Sequence, residues 1–384
     1  MEFAFNDQQE ALRSSVREVL AERSTSAAVR AAMDSKTGTD PALWAQVAEL
    51  GWPGVAIEET YGGLGLGLIE LAIIHEELGR TTAPVPYFST VGLALQVAGA
   101  APAGAARDAL LGRIAAGGTA TLVLGQKDGR FDAAGVNVKA ERTGDGWRFT
   151  GTASLAPEAH LAADLVVVAR TERSRVKEKG LSVFVVPATA LKSKPKPQPS
   201  LDGTRRLADV RLGGVEVPAG ALISPEGEGW PVVEAGLLRA AVLLAAEAVG
   251  VCERVLELSV AYAKEREQFG RPIGSFQAIS HRCADMLLST ETARSHVYYA
   301  AWALEEGATD QRLAAATAKA AAAEAAHVVP NGGIQVHGGI GFTWEHDMHL
   351  YYRRAKFCEL FLGDAAAWRE RVTTELVAAE PVAG

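Results

Sequence analysis

Between Gly118 and Pro218 the chain changes texture, and that change constrains its fold more than any other feature. TATLVLG, AGVNVKAE, GWRFTG, DLVVVAR, LSVFVVP and ADVRLGGVEVP are short, mostly valine-rich, and bounded by Gly, Pro or charge. Six such runs at this spacing predict an antiparallel β-barrel or sandwich, because β-branched side chains suit a pleated surface and the punctuating residues turn the chain. Both flanks read as helix. Upstream, Leu12, Val16, Val19 and Leu20, then Leu43, Val47 and Leu50, recur at helical spacing. Gly51 and Pro53 end the second of these helices, and the glycine-rich loop Thr60–Gly67 precedes Leu68–Leu78. Downstream, Ala235–Lys264, Gln277–Glu306 and Asp310–Val328 are rich in the strong helix formers Ala, Leu and Glu. Pro330, Gly332 and Gly333 are expected to interrupt there, with two more helices at about His349–Leu362 and Ala365–Ala378. The fold class is therefore α+β. An N-terminal helical domain (1–117) precedes a middle β domain (118–222), and a C-terminal helical domain (223–384) follows.

Charge and composition remove several functions. A net charge of −8 and a pI near 5.6 argue against a nucleic-acid partner, which would call for a basic face. No run of about 18 apolar residues is free of polar interruption, and MEFAFNDQQE has no basic leader. The expectation is a cytoplasmic protein without a membrane partner. Cys252, Cys283 and Cys358 are odd in number and widely spaced, so buried thiols are expected rather than disulfides or a zinc site. His346 and His349 would share a helix face, but two histidines fall short of a zinc ligand set, and no metal is expected. The loop Thr60–Gly67 lacks the preceding strand and the Gly-Lys-Ser/Thr ending of a phosphate-binding loop. Arg173–Gly180 and Lys192–Ser200 read as solvated basic loops.

Two stretches carry chemistry. In AKEREQFGRPIGSFQAISHRCADM (Ala263–Met286), Arg266 offers a planar fork of donors suited to phosphate and Phe269 a flat apolar face. A helix that breaks at Gly270 and Pro272 and then restarts holds both at a bend. In QVHGGIGFTWEHDMHLYYRRAK (Gln335–Lys356), Gly338 and Gly339 lack Cβ atoms, so their backbone amides can approach a diphosphate closely. Gln335 adds an amide with donors and an acceptor. These stretches resemble the R-x-x-F-G and Q-x-x-G-G-x-G-F motifs of acyl-CoA dehydrogenases. G-W-x-G, Y-G-G-x-G and E-E-L-G-R in the N-terminal part are similar to that family too, as is the helical, β, helical order of essentially the whole chain, which implies a C-terminal four-helix bundle. The resemblance implies that Arg266, Gln268, Phe269, Ile273, Phe276, Gln335, Gly338 and Gly339 hold the pyrophosphate and adenine end of an FAD that belongs to the adjacent subunit. It also places Arg239 near the CoA thioester, where an interhelical salt bridge is the competing role.

Other parts of the family pattern are absent. Its catalytic base is a carboxylate, usually the Glu of an E-G-T triplet soon after R-D-A-K; the corresponding run RRAKFCELFLGD puts Leu362 there. A second lineage carries the Glu one residue before the Arg matched by Arg239, and that residue is Leu238. Asp364 is the nearest substitute, but it directly precedes AAAWRERV and reads equally as a helix cap. The family's T-E-P-x-A-G-S-D becomes Gly125–Asp132, with Arg130 and Phe131 at positions that should be small. Its W-I-T becomes Leu155-Ala156-Pro157, and Pro157 has neither hydroxyl nor backbone N–H to offer a flavin.

The resemblance thus points to the subunit lacking the base in α2β2 acyl-CoA dehydrogenases such as the actinobacterial enzymes of steroid side-chain CoA thioesters. It implies FAD shared across the subunit interface, a homologous partner subunit, an acyl-CoA substrate and electron-transfer flavoprotein as electron acceptor. A self-sufficient flavoenzyme of the same fold using Asp364 or another base, and a flavin-free scaffold, are the two other functions open at this point.

Overall fold

The computed structural model describes residues 5–126 and 128–379. Helices α1 (Asp7–Arg23), α2 (Ser26–Asp34), α3 (Pro41–Glu49), α4 (Leu68–Arg80), α5 (Leu95–Gly99) and α6 (Ala105–Ala115) come first. Asn6 starts α1 by a reciprocal cap with Gln9, each side chain accepting the other's backbone N–H. A π-helical turn, Phe88–Ala94, leads into α5. Ten of the thirteen residues of α4 are buried, because it is the core helix of this part.

The β region holds β1 (Ala120–Val123), β2 (Lys139–Thr143), β3 (Gly146–Thr150), β4 (Thr152–Pro157), β5 (Asp164–Arg170), β6 (Leu181–Pro187), β7 (Lys196–Pro197), β8 (Leu207–Arg211) and β9 (Glu216–Pro218). They form a six-stranded sheet, β1-β5-β2-β3-β9 with β6 beside β5, and a three-stranded sheet, β4-β8-β7. Pairing is mostly antiparallel, as expected, but β1 and β2 both lie parallel to β5. Trp147, Phe149 and Phe184 meet edge-on in the core of this region, with ring centroids 5.1–5.2 Å apart. Two strands are not announced by the sequence, and one is the two-residue β7, which lies in the expected basic loop Lys192–Ser200 and pairs with β8. TASLAP has little β-branching, yet it forms β4, with a register shift between Ala153 and Ala156 and with Leu155 at φ +59°.

The C-terminal bundle comprises α7 (Trp230–Glu265), α8 (Gln277–Glu305), α9 (Gln311–His337), α10 (Met348–Leu360) and α11 (Ala365–Ala379). By length and composition α7 could cross a membrane, but 89% of its most apolar 18-residue window is buried inside the chain. It crosses α4 at backbone contact: a Cβ on Gly250 would meet Glu76 O at 1.8 Å, and one on Gly79 would meet Glu247 O at 2.1 Å. The expected break near Pro330 does not occur, and α9 runs nine residues further, to His337. A proline inside a helix costs about 3 kcal/mol, and close packing offsets it. Gly332 lies against Met286 and Gly333 against Val255 and Met348, with no space for a Cβ at either.

Buried charges tie the three parts together. Arg354 of α10 donates to Asp202 Oδ2 (2.6 Å) and to Glu247 Oε1 of α7 (2.7 Å), while Arg205 donates to Glu247 Oε2 (3.0 Å). The Arg205 guanidinium also lies between the Phe88 and Phe357 rings, 5.0 and 4.8 Å from their centroids. The two cations pull the Glu247 carboxyl down to about 2 against its burial. Glu158 is the odd member. Its carboxylate accepts no hydrogen bond among the described residues, and Arg205 Nε stands 3.5 Å away.

Burial pushes the Glu158 carboxyl up from 4.5 to about 7, with Arg205 opposing. The folded chain therefore holds a proton between those values that the unfolded chain has lost. Stability from this group is complete below about pH 4.5 and is lost as pH rises through 7, a change of about 3 kcal/mol. Glu158→Gln is expected to remove that part of the pH dependence in urea unfolding across this window. Parallel wild-type and variant profiles would contradict the assignment.

Candidate functional site

Arg266 closes α7: its N–H donates to Tyr262 O (2.8 Å) and its carbonyl accepts the Ile273 N–H (2.8 Å). Between those bonds a miniature hairpin pairs Glu267–Gln268 with Arg271–Pro272 across the two-residue turn Phe269-Gly270. Both turn residues have positive φ, +55° and +76°, the requirement of a type I′ turn. Gly270 adopts that conformation freely, but Phe269 does so at a cost of about 1 kcal/mol or more. The ring gains nothing from burial in return, since Phe269 is 92% exposed. The strain at Phe269 is thus not offset by burial of its ring. Phe276, which leads into α8, is half-buried, with the Arg271 guanidinium 4.2 Å from its ring centroid. Ile273 is likewise half-buried, whereas Arg266 and Gln268 are exposed.

The second stretch leaves the end of α9. Gln335, Gly338 and Gly339 are exposed, and a Cβ on either glycine would meet nothing within 4 Å. Gly338 adopts φ +63° and ψ −141°, a conformation that side chains exclude. The apolar residues that follow, Phe342 and Trp344, are exposed as well. The two stretches meet through their neighbours. The Tyr262 ring, one turn before Arg266, stacks on the His337 ring, one residue before Gly338, with centroids 4.6 Å apart and planes 24° apart.

The other half of the family's pattern takes a different form. Phe131 packs edge-on against Phe361 at 4.6 Å, Phe361 stacks on Phe357 at 4.7 Å, and Phe88 adds its edge to both. Phe131, Phe357 and Phe361 line, with Leu155, Leu207 and Leu360, a mostly apolar pocket of about 220 Å³ whose rim carries Asp202, Arg353 and Lys356. That is below the roughly 300 Å³ at which small-molecule pockets begin. Leu238 and Leu362 are buried, and so is Pro157. The turn after α10 is fully engaged: Leu362 O accepts Trp368 Nε1–H (3.0 Å), and the Lys319 ammonium donates to Cys358 O, Glu359 O and Gly363 O. Asp364 caps α11, its Oδ1 accepting the Ala367 N–H at 2.9 Å, and it is exposed. Arg239 forms no salt bridge among the described residues; its Nε donates to Gln96 Oε1 (3.0 Å), and burial lowers its pKa. Nor do three His, Cys, Asp or Glu side chains converge as a metal site among the described residues.

Tyr262 and Lys319 lie outside every motif, and His337, inside QVHGGIGF, is not among the residues that the motif's resemblance assigns to the cofactor.

Comparison with known proteins shows the family. Residues 6–118 match the model of the acyl-CoA dehydrogenase N-terminal domain, and residues 227–376 that of the acyl-CoA dehydrogenase C-terminal domain. Acyl-CoA dehydrogenase IpdE2 of Mycolicibacterium smegmatis is 32% identical over 375 residues, which cover 97% of this chain and 99% of that protein. A chain of the ChsE4–ChsE5 complex from Mycobacterium tuberculosis superposes with a TM-score of 0.89 at 29% identity and covers 100% of both chains. A chain of the Tcur3481–Tcur3483 steroid ACAD gives a TM-score of 0.86 at 31% identity, covering 97% of this chain and 98% of that one.

Proposed function

The chain belongs to the acyl-CoA dehydrogenase family, and on that premise we propose that it is the subunit of a heteromeric enzyme that grips one end of FAD for a homologous partner. The observation that carries this reading is the split in the site. The Arg266 and Gly338 stretches are exposed and open, while on the other side Phe131 and Leu155 narrow the pocket, and the carboxylate that lines it, Asp202, is bound to Arg354.

The exposed Arg266 fork would hold the diphosphate with the amides of Gly338 and Gly339. Phe269 and Phe276 would cover the adenine, with Gln268, Ile273 and Gln335 completing the contact. The bound flavin supplies the hydride acceptor for α,β-desaturation of an acyl-CoA thioester. In this reading a carboxylate of the partner subunit would take the α-proton, and electron-transfer flavoprotein would be the electron acceptor. The likeness to chains of steroid-enzyme complexes supports a steroid side-chain CoA as substrate. Asp364, committed to its cap, gives no support to a base within this chain.

Replacing Arg266 by Ala in the complex co-expressed with its partner is expected to weaken FAD retention by about 1.5–3 kcal/mol, since a charge-assisted contact is lost. That corresponds to roughly 10- to 100-fold in dissociation constant. Unchanged retention would remove Arg266 from the grip.

A further inference from the structure

We infer that Tyr262 and His337 form the joint that sets the two halves of the dinucleotide grip against each other, which makes both positioning residues for a nucleoside diphosphate. This rests on the reading of Arg266 and Gly338 proposed above. The two rings belong to different helices, α7 and α9, and each sits directly upstream of one half. Tyr262 O accepts the Arg266 N–H, so a shift of Tyr262 carries the base of the hairpin with it. His337 ends α9, and the N–H of the next residue, Gly338, donates to Ile334 O as the chain turns outward.

The imidazole is held as a flat wedge. Its Nδ1 lies 2.7 Å from Gly333 O, and because a carbonyl only accepts, Nδ1 carries the proton. Burial lowers the pKa of the ring, with His346 acting in the same direction, so the ring is neutral and its Nε2 keeps a lone pair. That lone pair is buried and has no partner among the described residues. A phenylalanine would stack without leaving an orphaned acceptor. What the imidazole adds is the Nδ1–H bond to the preceding turn, which fixes the plane of the ring.

A second imidazole also lies against the ring. His346 lies 4.6 Å away and tilted by 52°, and its Nδ1 accepts the Met348 N–H. Its neighbour Asp347 is held by Ser26 and Arg30 of α2. Tyr262 and His346 therefore both contact the His337 ring. Gly333, whose absent Cβ allows α9 to lie against Val255 of α7, permits the helix spacing at which the rings meet.

The test is ADP binding to the full-length chain, measured by titration calorimetry, with thermal melting of each variant recorded alongside. Tyr262→Ala and Tyr262→Leu are each expected to weaken ADP about ten-fold, whereas Tyr262→Phe retains wild-type affinity because it keeps the flat face. If Tyr262→Ala does not fold, Tyr262→Leu keeps the apolar bulk and decides the matter. Should Tyr262→Leu bind ADP as Tyr262→Phe does while Arg266→Ala has lost it, the joint is refuted and the grip stands. If wild type does not bind ADP, or Arg266→Ala binds it unchanged, the grip itself falls and this inference with it.

Discussion

Replacing Arg354 by Met is expected to lower the unfolding free energy by about 3–5 kcal/mol, the usual loss when one partner of a buried ion pair is removed. Arg354 is fully buried and bonds Asp202 and Glu247, both also buried, along with Thr204. Methionine fills much of the same volume, so the loss would report the stranded carboxylates rather than a cavity. Part of the charge would find relief by protonation, since a carboxylate without its cation rises in pKa. The deficit should therefore shrink as pH falls toward 5. Urea unfolding at two pH values measures both effects. A loss below about 1 kcal/mol at neutral pH would mean that Arg354 does little to join α7, α10 and the loop before β8, leaving that to the Arg205–Glu247 pair and apolar packing.

Lys319→Met is expected to cost about 3 kcal/mol and to loosen the turn between α10 and α11. The three protons of the ammonium serve three carbonyls, those of Cys358, Glu359 and Gly363, and burial holds its pKa down at about 8. Two of these carbonyls belong to the C-terminal end of α10, where a cation also meets the negative end of the helix dipole. Methionine would leave all three acceptors without this donor, at roughly 1 kcal/mol or more each. Hydrogen exchange should quicken first in the backbone around Leu362 and Gly363. Exchange unchanged there, with a loss under about 1 kcal/mol, would show that Trp368 alone secures the turn.

This turn has a bearing on function. By its resemblance to the run after R-D-A-K, it stands where the proposed reading looks for a base, and its groups serve structural contacts. Leu362 contributes a buried apolar side chain and a carbonyl for Trp368, and Asp364 contributes a cap.

Much of the architecture was legible because periodicity and punctuation are local properties. The expected helix Ala235–Lys264 is observed as Trp230–Glu265, and Gln277–Glu306 as Gln277–Glu305. Where tertiary packing overrode local preference, the sequence misled. Pro330 does not break α9, because Gly332 and Gly333 let the helix pack too closely to be given up. TASLAP becomes β4 because β8 pairs with it, not because its residues favour a strand. The candidate site divides in the same way. Motif residues such as Arg266 and Gly338 stand out by type and spacing. Tyr262 and His337 matter through a contact between residues far apart in the chain, which no local pattern encodes.

The central claim is that this chain grips an FAD whose ring it does not house. The most direct measurement is the flavin content of the purified chain, expressed alone and then with a homologue that carries the T-E, W-x-T and carboxylate motifs absent here. The account predicts a colourless chain alone and a yellow complex with one FAD for every two chains. A yellow homo-oligomer with one FAD for every chain would contradict it.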